Sequence, residues 1–481
     1  MTRRLVPILL VLAATVLPAA FLLPGCGGPR EGPRGVVLVV VDAMRREHLG
    51  CYGYGRDTSP SIDALAREGG VFEAAITQAS FSGPSYATIL TGKLPRNHGV
   101  RDHPRVLDDR NVTIAEQLAA NGVRTAGFVA HSFLARRWHY DQGFQVYERV
   151  PPEAKGAGHT ARAGKVIDRA LAWLRQVPAD APFFLFVQVQ EPHQPYDPPP
   201  PWNARFGTVP PGFSLKRTRD GRKVKRAELM FSFRELGFTD ADRDAMVALY
   251  DGEVAYADHE LARLVEALRE SGRLDDTLFA VTADHGESLG EHDLYFGHDM
   301  SLYDEVVRVP LVVRAPGAIE PCSRVAAQVR LADLAPTFAD WLGTPSLPDA
   351  DGASILPVAR GEERGVRVAF SENEPFKPER KGYPHYRVHV PGVAGKWRSV
   401  RTPEGKLIRI PRPDGVEWEL YDLRNDPGET RNLWGTGHPL ERPLRNLLEQ
   451  ELARDPDLGK SGDEELDPEA IEELRSLGYL G

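Results

Sequence analysis

Val36-Val37-Leu38-Val39-Val40-Val41-Asp42 is the stretch on which the reading of this chain turns. Six consecutive apolar residues leave no polar face, which fits a strand buried on both sides, as in a parallel sheet covered by helices. Phe183-Phe184-Leu185-Phe186-Val187-Gln188-Val189 and Thr277-Leu278-Phe279-Ala280-Val281-Thr282 read the same way. Helix-periodic stretches lie among them, at residues 61–68, 113–121, 160–176 and 240–271. Strands alternating with helices predict an α/β fold on a doubly wound, mostly parallel sheet. Past residue 365 the pattern changes to short strands with turns, at 396–401, 406–410 and 418–421. These predict a small C-terminal antiparallel sheet, so we divide the chain into a main domain, 35–365, and a C-terminal subdomain, 366–481. Residues 197–239 hold four prolines at 198–201 and the basic run 216–226. They are longer than an ordinary connection and read as an insertion, either a lid that attracts an anion or a solvated loop.

Each buried run ends in polar residues: Asp42 after the first, Glu191-Pro192-His193 after the second, Asp284-His285 after the third. In open α/β sheets ligands bind beyond the carboxyl ends of the strands, so three distant segments point at one site. A fourth is Ser82-Gly83-Pro84-Ser85-Tyr86-Ala87-Thr88-Ile89-Leu90-Thr91-Gly92, with Pro84 suited to a first helical turn and Gly92 to a C-terminal cap. Ser82 then sits at a helix N-terminus, where it is either a plain N-cap or a group aimed at an anion. Asp42, Asp284 and His285 suit a divalent cation, with Ser82 Oγ as a fourth ligand. A cation on that oxygen would make it a nucleophile near neutral pH. The plainer alternative is an Asp–His pair that satisfies itself.

Composition narrows the function. The net charge of −9 gives no global reason to bind nucleic acid. Three cysteines, Cys26, Cys51 and Cys322, exclude a disulfide scaffold, and whether Cys51 and Cys322 pair stays open. Residues 1–4, MTRR, precede an apolar run at 5–23, the pattern of a secretory signal that is long enough to span a bilayer if uncut. Leu23-Pro24-Gly25-Cys26 resembles a bacterial lipobox. That resemblance implies a signal peptide over 1–25, lipidation of Cys26 and a linker at 26–34. The chain is then exported and membrane-anchored on the periplasmic or cell-surface side.

Taken in order, these segments resemble the sulfatase family of the alkaline-phosphatase superfamily over nearly the whole mature length. The resemblance rests on Val39–Arg45, Gly50-Cys51-Tyr52-Gly53-Tyr54-Gly55, Thr58-Ser59-Pro60, Ser82–Gly92, Glu191-Pro192-His193-Gln194-Pro195-Tyr196 and Thr282-Ala283-Asp284-His285-Gly286-Glu287. It continues through Gly297-His298, Tyr303-Asp304-Glu305, Arg308-Val309-Pro310, Glu419–Leu423, Asp426-Pro427-Gly428-Glu429 and Leu477–Gly481. It implies a metal-dependent ester hydrolase with Asp42, Ser82, Asp284 and His285 around one divalent ion. Family habit points to Ca, and the imidazole ligand argues for Mn or Zn. Ser82 falls on the position that sulfatases convert to formylglycine, while His298 and His193 are candidates to protonate the leaving group.

Three residues depart from the family pattern. Tyr86 stands where the maturation signature has Arg, which argues against conversion of Ser82. Ala130, with His131 beside it, stands at the early Lys, and Ala43 replaces a second metal-binding Asp. The leading expectation is hydrolysis of a sulfate ester, or a related phosphate or phosphonate ester, on a small molecule, glycan or lipid. The rivals are a phosphoryl hydrolase or transferase using unmodified Ser82 and a catalytically silent binding lipoprotein.

Overall fold

In the computed structural model the first apolar run becomes strand β1 (Gly35–Val41), buried along its length as a sequence without a polar face requires. The structure describes residues 34–102, 105–152, 161–209, 213, 223–224, 226–363, 365–373 and 395–455. Contacts divide the chain into Met1–Gly32, which lies outside the described residues, and Pro33–Gly481.

The main sheet adds β2 (Gly70–Ile76), β3 (Arg124–Val129), β4 (Val146–Arg149), β5 (Phe183–Val189), β6 (Thr277–Thr282), β7 (Leu311–Arg314) and β8 (Ser323–Arg330). Their spatial order is β8-β2-β7-β6-β1-β5-β3-β4, with the two residues Arg308–Val309 pairing β2 as a ninth strand. Every neighbouring pair on this path is parallel except those made by β7. β1 lies at the centre, with β5 on one side and β6 on the other.

Helices cover both faces. α1 (Pro60–Glu68), α4 (Ala163–Leu174) and α5 (Asp240–Glu270) pack together on one side. α2 (Ser82–Thr91), α3 (Ile114–Ala120) and α6 (Leu334–Trp341) pack on the other. The expected helices appear within a few residues, because their caps are written locally. Thr113 and Thr239 each close a capping box, ahead of α3 and α5. Gly92 ends α2 at φ +69°, a conformation a side chain would strain.

The expected small sheet is β9 (Ala369–Glu372), β10 (Arg398–Arg401), β11 (Gly405–Arg412) and β12 (Gly415–Asp422), antiparallel in chain order. α7 (Glu441–Ala453) covers it through Leu444 and Leu448. Cys51 and Cys322 are both free thiols. Of the basic run at 216–226 only 223, 224 and 226 are described, and Cys26 and the closing Leu477–Gly481 segment lie outside the described residues.

Candidate active site

Register brings the polar strand ends together. Val40 pairs with Gln188 of β5 and with Thr282 of β6, so Asp42 and Asp284 emerge side by side at one edge of the sheet. Ala43 follows at φ +56°, a left-handed conformation unusual for a residue with a Cβ. Its N–H donates to Asp284 Oδ1 at 3.3 Å, and its carbonyl accepts from the Tyr250 hydroxyl at 2.7 Å. The turn after Asp42 is therefore fixed by the other acid and by α5. Gly286 permits the turn after His285, since a Cβ there would lie 2.1 Å from the Glu305 carbonyl.

Helix α2 is docked onto the same edge. Ser85 Oγ donates to the Asp284 carbonyl at 2.7 Å, and the Tyr140 hydroxyl donates to the Gly83 carbonyl at 2.8 Å. Ser82 is the first residue of the helix, with Phe81 in the N-cap place, and no side chain caps it. The N-cap reading of Ser82 gives way to a different role: its hydroxyl lies 3.2 Å from His285 Nε2. His285 Nδ1 donates to the Gly286 carbonyl at 2.9 Å, so Nε2 is the basic nitrogen and the Ser82 hydroxyl is the donor.

One ligand atom from each of Asp42, Asp284 and His285 lies within 4.8 Å of the others, and all three residues are buried. The donor set fits a cation. Asp284 Oδ2 accepts no hydrogen bond, and it faces the lone pair of His285 Nε2 at 3.4 Å. Two basic atoms turned toward each other in a buried site call for a positive charge between them. Burial pushes His285 down to about 4, against the opposing pull of Asp284, so the ring is neutral and fit to ligate at pH 7. Two carboxylates, an imidazole and a hydroxyl suit a hard or intermediate divalent ion.

The other histidines close around this cluster. His298 stacks on His285 with ring centroids 3.9 Å apart, and its centroid lies 5.2 Å from that of the steeply inclined His193 ring. Acceptors flank both its nitrogens, Glu287 Oε1 at 3.4 Å from Nδ1 and Asp299 Oδ1 at 3.0 Å from Nε2. His193 Nδ1 donates to the Gln194 carbonyl at 2.7 Å, which makes its Nε2 the basic nitrogen.

Sequence reasoning passed over two residues here. His131 follows β3, and its Nδ1 accepts the Phe133 N–H at 3.0 Å. The neutral ring therefore carries its proton on Nε2, which faces Asp42 Oδ2 at 3.8 Å. Gln188, inside β5, donates from Nε2 to Asp42 Oδ2 at 3.4 Å and accepts the N–H groups of Ala130 and His131 at 2.9 and 2.8 Å. The signals were present: a Gln interrupting an apolar run, and a His placed after Phe128-Val129-Ala130 like the other polar strand ends. Tyr86 is wholly buried, with Asp284 and Asp42 the main charges acting on its hydroxyl. Burial first, then those carboxylates, hold its pKa well above the ordinary phenol value.

With this geometry in place, comparison with known proteins gives the family. The sulfatase family model matches residues 34–344, and the model for the C-terminal part of N-sulphoglucosamine sulphohydrolase matches 290–455. The chain belongs to the sulfatase family, as a hydrolase of that family's α/β fold. It is 26% identical to an N-acetylglucosamine-6-O-sulfatase of Bacteroides thetaiotaomicron, over 90% of this chain and 89% of that one. A solved protein in complex with its substrate D-glucosamine-2-N,6-O-disulfate superposes at TM-score 0.72 with 23% identity, covering 89% of this chain and 100% of that one. The phosphonate monoester hydrolase of Agrobacterium radiobacter follows at TM-score 0.66 and 24% identity, covering 87% and 95%.

Proposed function

We propose that this chain is a metal-dependent hydrolase that cleaves a sulfate ester of a sugar, with the oxygen at Ser82 as nucleophile. The observation that carries this reading is Ser82 Oγ at the mouth of α2, 3.2 Å from the basic nitrogen of His285 beside Asp42 and Asp284. The sugar sulfate is drawn from the relative that acts on N-acetylglucosamine 6-O-sulfate. A divalent ion held by Asp42, Asp284, His285 and Ser82 would neutralise charge on the ester and lower the pKa of the attacking hydroxyl. His131, whose Nε2 faces Asp42 at 3.8 Å, is the residue we assign to holding an ester oxygen. We assign protonation of the leaving oxygen to His298, which has acceptors at both nitrogens, with the neighbouring His193 as the second candidate.

A second reading is favoured by Tyr86. Where the maturation pattern has Arg, the chain buries a phenol against Asp284 and Asp42. That residue favours unmodified Ser82 attacking a phosphate or phosphonate ester. Our reading includes export and a lipid anchor at Cys26, tested by the mass of the N-terminal peptide after native expression.

Release of p-nitrophenol from the sulfate ester, the phosphate monoester and the phosphate diester, by native chain and Ser82→Ala, tests both readings. Serine-dependent preference for the sulfate ester supports the first, and serine-dependent preference for a phosphate ester supports the second. A rate unchanged in Ser82→Ala contradicts both. Binding of a sulfated or phosphorylated glycan with no turnover would favour a silent binding protein.

A further inference from the structure

Two buried acids beside the site take no part in the chemistry above. Glu191 follows β5 and Glu253 lies on α5 at 3% exposure. Between them they hold both ends of the 190–197 segment, which carries His193. At the leading end, both oxygens of Glu191 accept one donor, the N–H of Ala163 that opens α4, at 3.1 Å each. At the trailing end, Glu253 Oε1 accepts the N–H of Asp197 at 2.7 Å, while Oε2 accepts no hydrogen bond. A buried carboxylate oxygen without a donor is costly when ionised and acceptable when protonated.

The surroundings supply little compensation. The charges facing Glu191 are Arg162 at the head of α4, Glu260 on α5 and Glu253 itself, with the Tyr256 hydroxyl alongside. Those facing Glu253 are Glu191, Arg162 and Asp197. Arg162 donates to the Asp197 carbonyl at 2.8 Å, lies 3.4 Å from Asp197 Oδ2 and is one-third exposed. Glu260 is paired with Arg263 at 2.6 Å, and the Tyr256 hydroxyl accepts the Gly164 N–H at 3.2 Å. One partly solvated guanidinium thus faces two buried carboxyls and two further acids.

We propose that Glu191 and Glu253 retain a proton between them in the working enzyme and so position the His193 segment, which loosens when that proton is lost to solvent. Both are positioning residues, and the proposal rests on His193 acting in the reaction above. Burial supports it by pushing Glu191 up to about 7 and Glu253 well above its ordinary value, with the Glu191 charge raising Glu253 further. Because these values lie above the unfolded value of 4.5, the folded chain binds more protons than the unfolded one between about 4.5 and 7. This contribution to stability is complete below that window and is lost as pH rises through it.

Thermal unfolding from pH 5 to 8.5 tests the pair in the full chain, with Glu253→Gln as a neutral mimic of the protonated acid. The native Tm is expected to fall between pH 5 and 8 more steeply than that of Glu253→Gln. The alkaline limb of kcat/KM is expected to move up by about one pH unit in the variant. An identical slope of Tm in native and variant overturns the proposal. If Glu253→Gln fails to fold, Glu191→Gln is read the same way, and failure of both mimics at pH 5 also overturns it. The melting series needs no turnover, so an absent esterase activity defeats the functional reading without deciding this one.

Discussion

Where the small sheet meets the main domain, Asp304 is buried between Arg401, at 2.8 Å, and Lys406, at 3.1 Å, and Lys406 also reaches Glu429 at 2.9 Å. At the strand ends Asp42 and Asp284 are buried as well, but the groups around them are an amide, a phenol, backbone N–H groups and imidazole nitrogens, with no side-chain cation among the described residues there. The first region carries its own counter-charges and holds Asp304 far below the usual carboxylate range, chiefly through Arg401 and Lys406 against the opposing effect of burial. The second turns acceptors toward one another and, in the function we propose, would be completed by a cation from outside. Similar burial with opposite charge balance separates a structural joint from a functional site.

Asp284→Asn should show this most strongly. Turnover is expected to fall about a thousandfold or more, roughly 4 kcal/mol of barrier. Stability of the chelated protein should be unchanged or higher, because a buried charge has been removed. Asp304→Asn should do the reverse: denaturant melts should show a loss of about 3–5 kcal/mol, since Arg401 and Lys406 lose their partner, while turnover per folded molecule holds. Next comes His131→Ala, expected to lower kcat by about tenfold to a hundredfold through loss of its Nε2–H donor. The smallest effect should be that of Tyr86→Phe, which removes a hydroxyl from beside Asp284 and Asp42 and should shift metal affinity by less than about tenfold.

The same contrast explains what could be read in advance. β1, β5 and β6 were legible because they are buried on both faces and so written as largely apolar runs, and the register of a parallel sheet then brought the residues that follow them, Asp42, Gln190-Glu191 and Asp284, to one edge. The end of α2 was legible because capping is local, as at Gly92. β3 was not read as a strand, because Arg124-Thr125-Ala126-Gly127-Phe128-Val129 is short and its small residues carry little periodicity. His131 was lost as a site residue with it. The orientation of Ser82 away from an N-cap role and the tautomers of His131, His193 and His285 depend on partners far along the chain or on loop geometry, which no local pattern encodes. The ion pairs of Asp304 escaped for the same reason, being formed with residues about a hundred positions away.

The most direct test of the account is the metal content of purified chain, equilibrated with Ca, Mn and Zn and then freed of unbound ions, set beside Asp284→Asn and Asp304→Asn. The account predicts one divalent ion per native chain, retained in folded Asp304→Asn and lost in Asp284→Asn. Equal metal in native protein and Asp284→Asn, or none in the native protein, would contradict it.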